Sequence, residues 1–261
     1  MIILRAKYGP LDVTEKLKQL ILDNGHNKII ANNENFGDPI VGIRKNLSID
    51  YMDNGIEKHI IVEEDRIINF SRPIFEFIIP TFDRVAPLYS MLSSLISQTQ
   101  NNWKANIIVD GAKNDVVKNI VDKFNSPNIQ YTVLDNRYND WGHTPRNIGK
   151  NTSTSDYIIL TGDDNYYVPT FIDELNEVII HGHVGMIYWD MIHNGYSYNL
   201  FNTSIIDGRI DMGAFVTRRD LAQQIDLSKD YNADSQYVLN FQQKFPHEEI
   251  VKINKILFVH N

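Results

Sequence analysis

From residue 74 onward, short apolar runs alternate with amphipathic stretches, and this alternation restricts the fold more than any other feature of the chain. The runs at 75–79, 105–109, 129–134, 157–160 and 184–190 have the length and the β-branched or aromatic content of strands. The stretches at 87–97, 115–124, 145–150 and 169–180 read as helices. Strands joined by helical crossovers pair in parallel, because a tight turn reverses the chain and only a longer crossover brings the next strand in running the same way. The spacing therefore predicts an α/β fold, a mostly parallel sheet with helices on both faces, whose ligands collect outside the C-terminal strand ends.

The first third follows a different pattern. Thr14 to Leu22 spaces its apolar residues as a helix does, and Asn24-Gly25 follows where a left-handed C-terminal cap belongs. Residues 45–51 alternate with period two, Asp53-Asn54-Gly55 supplies a tight turn, and 56–62 returns as the second arm of a hairpin. Ile67 to Phe70 is expected to add a strand before Ser71-Arg72-Pro73 interrupts the pattern. The expected organisation is a small β-rich (α+β) domain over 1–72 and a larger α/β domain over 73–261. Docking on the larger domain, binding an acceptor and self-association as a homo-oligomer are the roles open to the smaller one.

Composition removes several classes. The chain has no cysteine, which excludes a disulfide framework, Cys-ligated zinc and a thiol nucleophile. Its 33 acidic against 25 basic residues, a formal charge of -8, repel phosphate backbones, so nucleic acid is not an expected partner. No apolar run approaches the roughly 20 residues of a spanning helix, and Arg5 and Lys7 break the apolar stretch at the N-terminus. The expectation is a cytoplasmic protein with no transmembrane segment.

Chemistry concentrates at the strand ends. The first strand of the larger domain runs into Pro80-Thr81-Phe82-Asp83-Arg84, the second into Asp110-Gly111, and the fourth into Thr161-Gly162-Asp163-Asp164-Asn165. Crowded carboxylates repel one another unless a cation or hydrogen-bond donors neutralise them, so the cluster implies a ligand. Asp163-Asp164-Asn165 offers hard oxygen atoms, which suit Mn2+ or Mg2+ better than zinc. Just upstream, Asn139 to Gly149 reads as a turn through Gly142 and His143 that delivers Arg146 into a helix start, where it can meet phosphate oxygens or neutralise the aspartates.

Taken together and in order, the segments 78–84, 107–111, 146–149 and 157–169 resemble the nucleotide-sugar-dependent glycosyltransferases of the GT-A (Rossmann-like) fold, in particular the inverting family 2 branch. The resemblance covers roughly 74–240 and does not reach 1–72. It implies a metal-dependent enzyme that moves a sugar from a nucleotide-diphosphate donor, a UDP-sugar in the first instance, to a hydroxyl of a glycan, glycoconjugate or protein acceptor. Under it, Pro80, Thr81, Phe82, Asp83 and Asp110 hold the base and ribose. Gly142, His143 and Arg146 reach the nucleotide, and Asp163 and Asp164 form the metal and ribose station. Gly213 lies beside the donor sugar, Asp234 is the general base with Asp211 in reserve, and His260 is a further metal ligand. Val109 stands where family members have an acid, and Asp234 alone remains of an acidic pair. Tyr188, Trp189, Asp190 and His193 are the expected acceptor contacts, with a buried core role for Trp189 as the alternative. A sugar nucleotidyltransferase and a non-catalytic nucleotide-sugar binding module are the competing functions. The first lacks its Gly-rich basic loop after the opening strand of the larger domain.

Overall fold

The computed structural model describes residues 2–23, 28–53, 55–70, 72–111, 115–180 and 184–261. The expected Asn24-Gly25 cap lies outside the described residues, as do Asn54 of the hairpin turn and Ser71 of the expected boundary. The chain divides into two compact units. The first takes the chain up to Arg72 and the end of one later helix from Asn176, and the second takes Pro73–Leu175 and Val184–Asn261. No helix among the described residues is long and apolar enough to cross a membrane.

In the first unit, β1 (Ile2–Tyr8), β2 (Leu11–Asp12), α1 (Thr14–Asp23), β3 (Lys28–Ile30), α2 (Asn33–Phe36), β4 (Asn46–Asp53), β5 (Ile56–Glu63) and β6 (Ile67–Asn69) follow in order. A four-stranded antiparallel sheet runs β2-β1-β4-β5, and β3 pairs separately with β6. The hairpin arms alternate as expected, with Leu47, Ile49 and Tyr51 buried between more exposed neighbours. The sequence gives little sign of β1, because Arg5 and Lys7 interrupt its apolar run. They fit because a register shift between Ile3 and Arg5 keeps Ala6 and Tyr8 on the buried face. Tyr8, Leu17, Phe36 and Ile68 form the centre of this unit's core, with Ile180 packed at its margin.

The second unit contains β7 (Phe75–Thr81), α3 (Val85–Ile96), β8 (Trp103–Val109), α4 (Asp115–Phe124), β9 (Ile129–Val133), α5 (His143–Thr152), β10 (Tyr157–Leu160) and β11 (Tyr166–Tyr167). After these come α6 (Phe171–Ile179), β12 (Val184–His193), β13 (Asn199–Phe201), β14 (Phe215–Arg218), α7 (Arg219–Ala222), α8 (Ala233–Lys244) and β15 (Glu249–His260). The sheet order is β11-β15-β12-β14-β10-β7-β8-β9, with β13 beside β12. β7 is buried at every position, as a central parallel strand covered on both faces must be.

The sheet is mixed. β9, β8, β7 and β10 are parallel in sequence, as are β12 and β15, whereas every pairing of β11, β13 or β14 is antiparallel. The chain from β12 to β14 makes no α-helical crossover, so β14 returns antiparallel between β10 and β12. On the parallel side the chain steps outward from β7 through β8 to β9, then jumps back past β7 to β10. Right-handed crossovers put α3 and α4 on one face and α5 on the other. The strand order reverses between β7 and β10, and in such sheets that crevice is where ligands bind.

Candidate active site

Beyond the C-terminal ends of β7, β8 and β10 lies a cavity of about 380 Å³. Pro80, Thr81, Phe82, Asp110, Gly142, Arg146, Asp163, Asp164, Asp211 and His260 all line it. Segments separated by up to 180 residues thus meet at the point where the strand order reverses. Across that point, Thr81 Oγ1 donates to Asp163 Oδ2 at 2.6 Å.

The two aspartates differ in environment. Asp163 is almost fully buried, and burial raises its pKa against the lowering effects of Thr81 and Arg84. Asp164 is more exposed and receives Arg84 Nη1 at 2.8 Å, while Arg84 Nη2 bonds Asp163. Burial alone would lower the pKa of the Arg84 guanidinium, but the two carboxylates raise it on balance. Arg84, rather than Arg146, therefore supplies the direct counter-charge to the pair. The sequence carried the signal in the basic residue that ends Pro80-Thr81-Phe82-Asp83-Arg84. Asp83 itself is exposed and does not line the cavity among the described residues.

Arg146 is fixed by carbonyl groups. Its Nε donates to Thr161 O at 2.9 Å and its Nη1 to Trp141 O at 2.8 Å. Burial lowers its pKa to about 10, against the raising influence of Asp211, Asp163 and Asp164, so it stays charged at neutral pH. Asp110 uses both carboxylate oxygens to accept backbone N–H groups, from Tyr138 at 2.8 Å and Asn139 at 3.0 Å. It thereby anchors the turn that carries Arg137, whose guanidinium lies 3.5 Å over the Phe82 ring. His143 is buried behind this turn and does not line the cavity. Gly213, at φ +101°, lies one residue from the lining residue Met212, and its carbonyl accepts from Tyr167 Oη at 2.9 Å.

At the other wall, His193 and His260 occupy paired positions on β12 and β15 and stack at 4.4 Å. Asp211 joins them, with Oδ1 3.1 Å from His260 Nδ1 and Oδ2 3.9 Å from His193 Nε2. A carboxylate only accepts, so His260 carries its proton on Nδ1 and leaves Nε2 unprotonated in the neutral ring. His193 is the opposite, because its Nδ1 accepts the Gly195 N–H at 2.9 Å and its proton therefore sits on Nε2. The three side chains lie close enough together to hold a metal ion, but this tautomer removes His193 from the ligand set. Burial and the neighbouring His260 lower the His193 pKa. For His260 burial would do the same, yet Asp211 raises it on balance.

Two expected roles change. Trp189 is fully buried, with its ring centroid 4.7 Å from that of Phe171, so it belongs to the core and cannot stack on an acceptor. Asp190 is also buried, accepting from Thr203 N at 2.8 Å and pairing with Lys252 at 2.8 Å, which makes it a structural link. Asp234 sits in the first turn of α8, and burial raises its pKa to about 6, with further raising by Asp211.

Residues 76–233 match the family model described as Glycosyl transferase family 2. The chain belongs to that family. It is 28% identical over 114 residues to an uncharacterised glycosyltransferase of Haemophilus influenzae, an alignment covering 42% of this chain and 37% of that protein. Its fold is similar to that of S. aureus TarS 1-349 in complex with UDP-GlcNAc, at 15% identity and a TM-score of 0.61, covering 71% of this chain and 58% of that one. It is also similar to the mannosyltransferase PcManGT from Pyrobaculum calidifontis in complex with GDP-Man and Mn2+, at 13% identity and a TM-score of 0.55, covering 73% and 57%. The fold is thus GT-A, and the chain spans less than two thirds of each of these proteins.

Proposed function

We propose that this chain transfers a sugar from a nucleotide-diphosphate donor to an acceptor hydroxyl with inversion at the anomeric carbon. The observation that carries the reading is the convergence of Thr81, Asp110, Arg146, Asp163 and Asp164 on one cavity where the strand order reverses, in a chain of glycosyl transferase family 2. UDP-GlcNAc and GDP-Man in the related folds support a nucleotide sugar as the donor class.

The donor set fits a hard divalent cation. Asp164 offers carboxylate oxygens, and His260 offers an Nε2 with no protein partner among the described residues. Asn165, which also lines the cavity, has a buried Oδ1 without a partner among the described residues. Asp164 and His260 would hold Mn2+ or Mg2+, which when bound supplies positive charge to the departing diphosphate. Arg146, locked by the Thr161 and Trp141 carbonyls, adds a second fixed positive charge to the same wall without reorganising during the reaction.

Asp234 accepts the proton of the acceptor hydroxyl as its oxygen bonds to the anomeric carbon, and the diphosphate leaves with the electron pair of the broken bond. A carboxyl with a pKa near 6 is ionised at neutral pH yet more basic than a solvated carboxylate, as a general base should be. Incubation with UDP-glucose, UDP-GlcNAc and GDP-mannose plus Mn2+ should release nucleotide, and Asp164→Ala should abolish the release. Undiminished release from that variant would remove the assigned site.

A further inference from the structure

Trp141 and Tyr231 have no role in donor binding as described above, yet they are the most conspicuous side chains beside the cavity. Trp141 lines it while remaining 67% exposed, and Tyr231 is 88% exposed. A single exposed ring is ordinary, but two in contact beside a cavity make an exposed apolar patch of the kind that marks ligand sites. Their centroids are 6.5 Å apart and the ring planes meet at 81°, so the pair forms an open right-angled corner.

The backbone beneath this corner is held in an unfavourable conformation. Trp141 has φ +55°, in the left-handed region that a bulky side chain avoids. Its carbonyl accepts from Arg146 Nη1 at 2.8 Å, which ties the strained residue to a buried cation. Strain of this kind persists where the surrounding structure enforces it, typically at ligand sites. Tyr231 lies three residues ahead of Asp234, immediately before the Asn232 cap of α8, so one ring of the corner is carried by the segment that leads into the residue assigned as base.

We propose that Trp141 and Tyr231 form the acceptor subsite and take a pyranose ring, the indole stacking on its apolar face and the Tyr231 ring closing one edge. This deepens the reading above and rests on it. A sugar ring presents C–H groups on its face and hydroxyls around its rim. An open aromatic corner beside a cavity rich in charged groups matches both, whereas a purely apolar ligand would leave those charges unpaired. Phe82, the aromatic residue nearer the β7 end, is already covered by Arg137. The corner replaces Trp189 as the acceptor-stacking surface.

The chain provides its own probe. Of its three tryptophans, Trp103 and Trp189 are buried, so acrylamide quenching reads Trp141. Methyl β-D-glucopyranoside, methyl β-D-galactopyranoside, methyl α-D-mannopyranoside and the methyl glycoside of N-acetylglucosamine are titrated separately, with and without UDP. At least one should protect Trp141, and Tyr231→Ala should weaken that protection about tenfold, the scale of one lost aromatic contact. Trp141→Ala should lower transfer to the protecting glycoside about tenfold more than it lowers hydrolysis of the donor, with Trp141→Phe recovering most of the difference. If no glycoside protects, or if UDP alone does, the acceptor subsite is overturned, the second outcome making the corner a nucleobase platform. Calorimetry with UDP and GDP tests the parent reading separately. Saccharide protection without nucleotide binding would sink the donor assignment and leave the saccharide site standing.

Discussion

The Arg84 guanidinium donates to Asp164 Oδ2 at 2.8 Å while its other terminal nitrogen bonds Asp163, so a side-chain cation holds together two carboxylates that would otherwise repel. Under the proposed function, a divalent ion held by Asp164 and His260 would compete with Arg84 for the Asp164 carboxylate. Because Arg84 is about half exposed, the pair is worth less than a fully buried one. Arg84→Ala should destabilise the chain by about 1–2 kcal/mol at pH 7. Millimolar Mn2+ should restore more melting temperature to this variant than it adds to the parent. Equal Mn2+ shifts in the two proteins would show that Arg84 and the metal do not share a site.

As the proposed base, Asp234 should give the transfer a pH signature. A base must be ionised, so kcat/KM should rise with pH and level off above about pH 6, the raised value that burial gives this carboxyl. Asp234→Asn should cost roughly 10²–10⁴-fold in transfer and flatten the rise. Stability runs the other way. Between the ordinary aspartate value of 3.8 and about 6, the native chain keeps a proton that the unfolded chain has released, so native stability declines as pH increases through that window. Urea titrations at pH 4.5 and pH 7.5 should show the asparagine variant losing less stability across this range than the parent.

Asp211 serves here as a positioning residue for His260. Its hydrogen bond at 3.1 Å fixes the proton on Nδ1 and turns the ring so that Nε2 is left for a ligand. Asp211→Asn should weaken Mn2+ affinity about 10–100-fold, measured by electron paramagnetic resonance of free Mn2+. The same variant should shift the His260 ring-nitrogen signals in NMR, a change that a purely scaffolding role for Asp211 would not produce. His193→Ala should alter affinity far less, since its lone pair is engaged by Gly195.

What the sequence revealed depended on how local each signal was. β7, β8 and β10 are largely apolar runs, with Thr81 at the end of the first, Asp110 directly after the second and Asp163 three residues past the third, so their identity as strands and the chemistry at their ends can be read within a few residues. The His193 and His260 pair is assembled by a parallel pairing between strands 67 residues apart, and no spacing rule reports it. Trp189 was ambiguous because its burial depends on which face of β12 the neighbouring elements cover, and those elements are distant in sequence. Nothing local in the sequence marks Trp141, because its exposure and positive φ are tertiary properties. In the sequence it reads only as one member of a turn.

Gly142 links the fold to the site closely enough to test both at once. It caps α5 at φ +80°, and a Cβ there would sit 2.7 Å from Pro80 Cγ and 3.1 Å from Arg146 Nη1. An alanine must therefore adopt a left-handed backbone and also push the turn away from the end of β7. Gly208 separates the two effects, since it has φ +69° with nothing within 4 Å of the added carbon. Gly208→Ala should cost about 1 kcal/mol, the backbone penalty alone. Gly142→Ala should cost about 2–4 kcal/mol, because crowding adds to it. The displaced Trp141 carbonyl should also loosen Arg146, so Gly142→Ala should lose nucleotide affinity while Gly208→Ala keeps it. Equal losses of stability in the two variants, with nucleotide binding intact in both, would mean that the contact between the turn and Pro80 does not position Arg146.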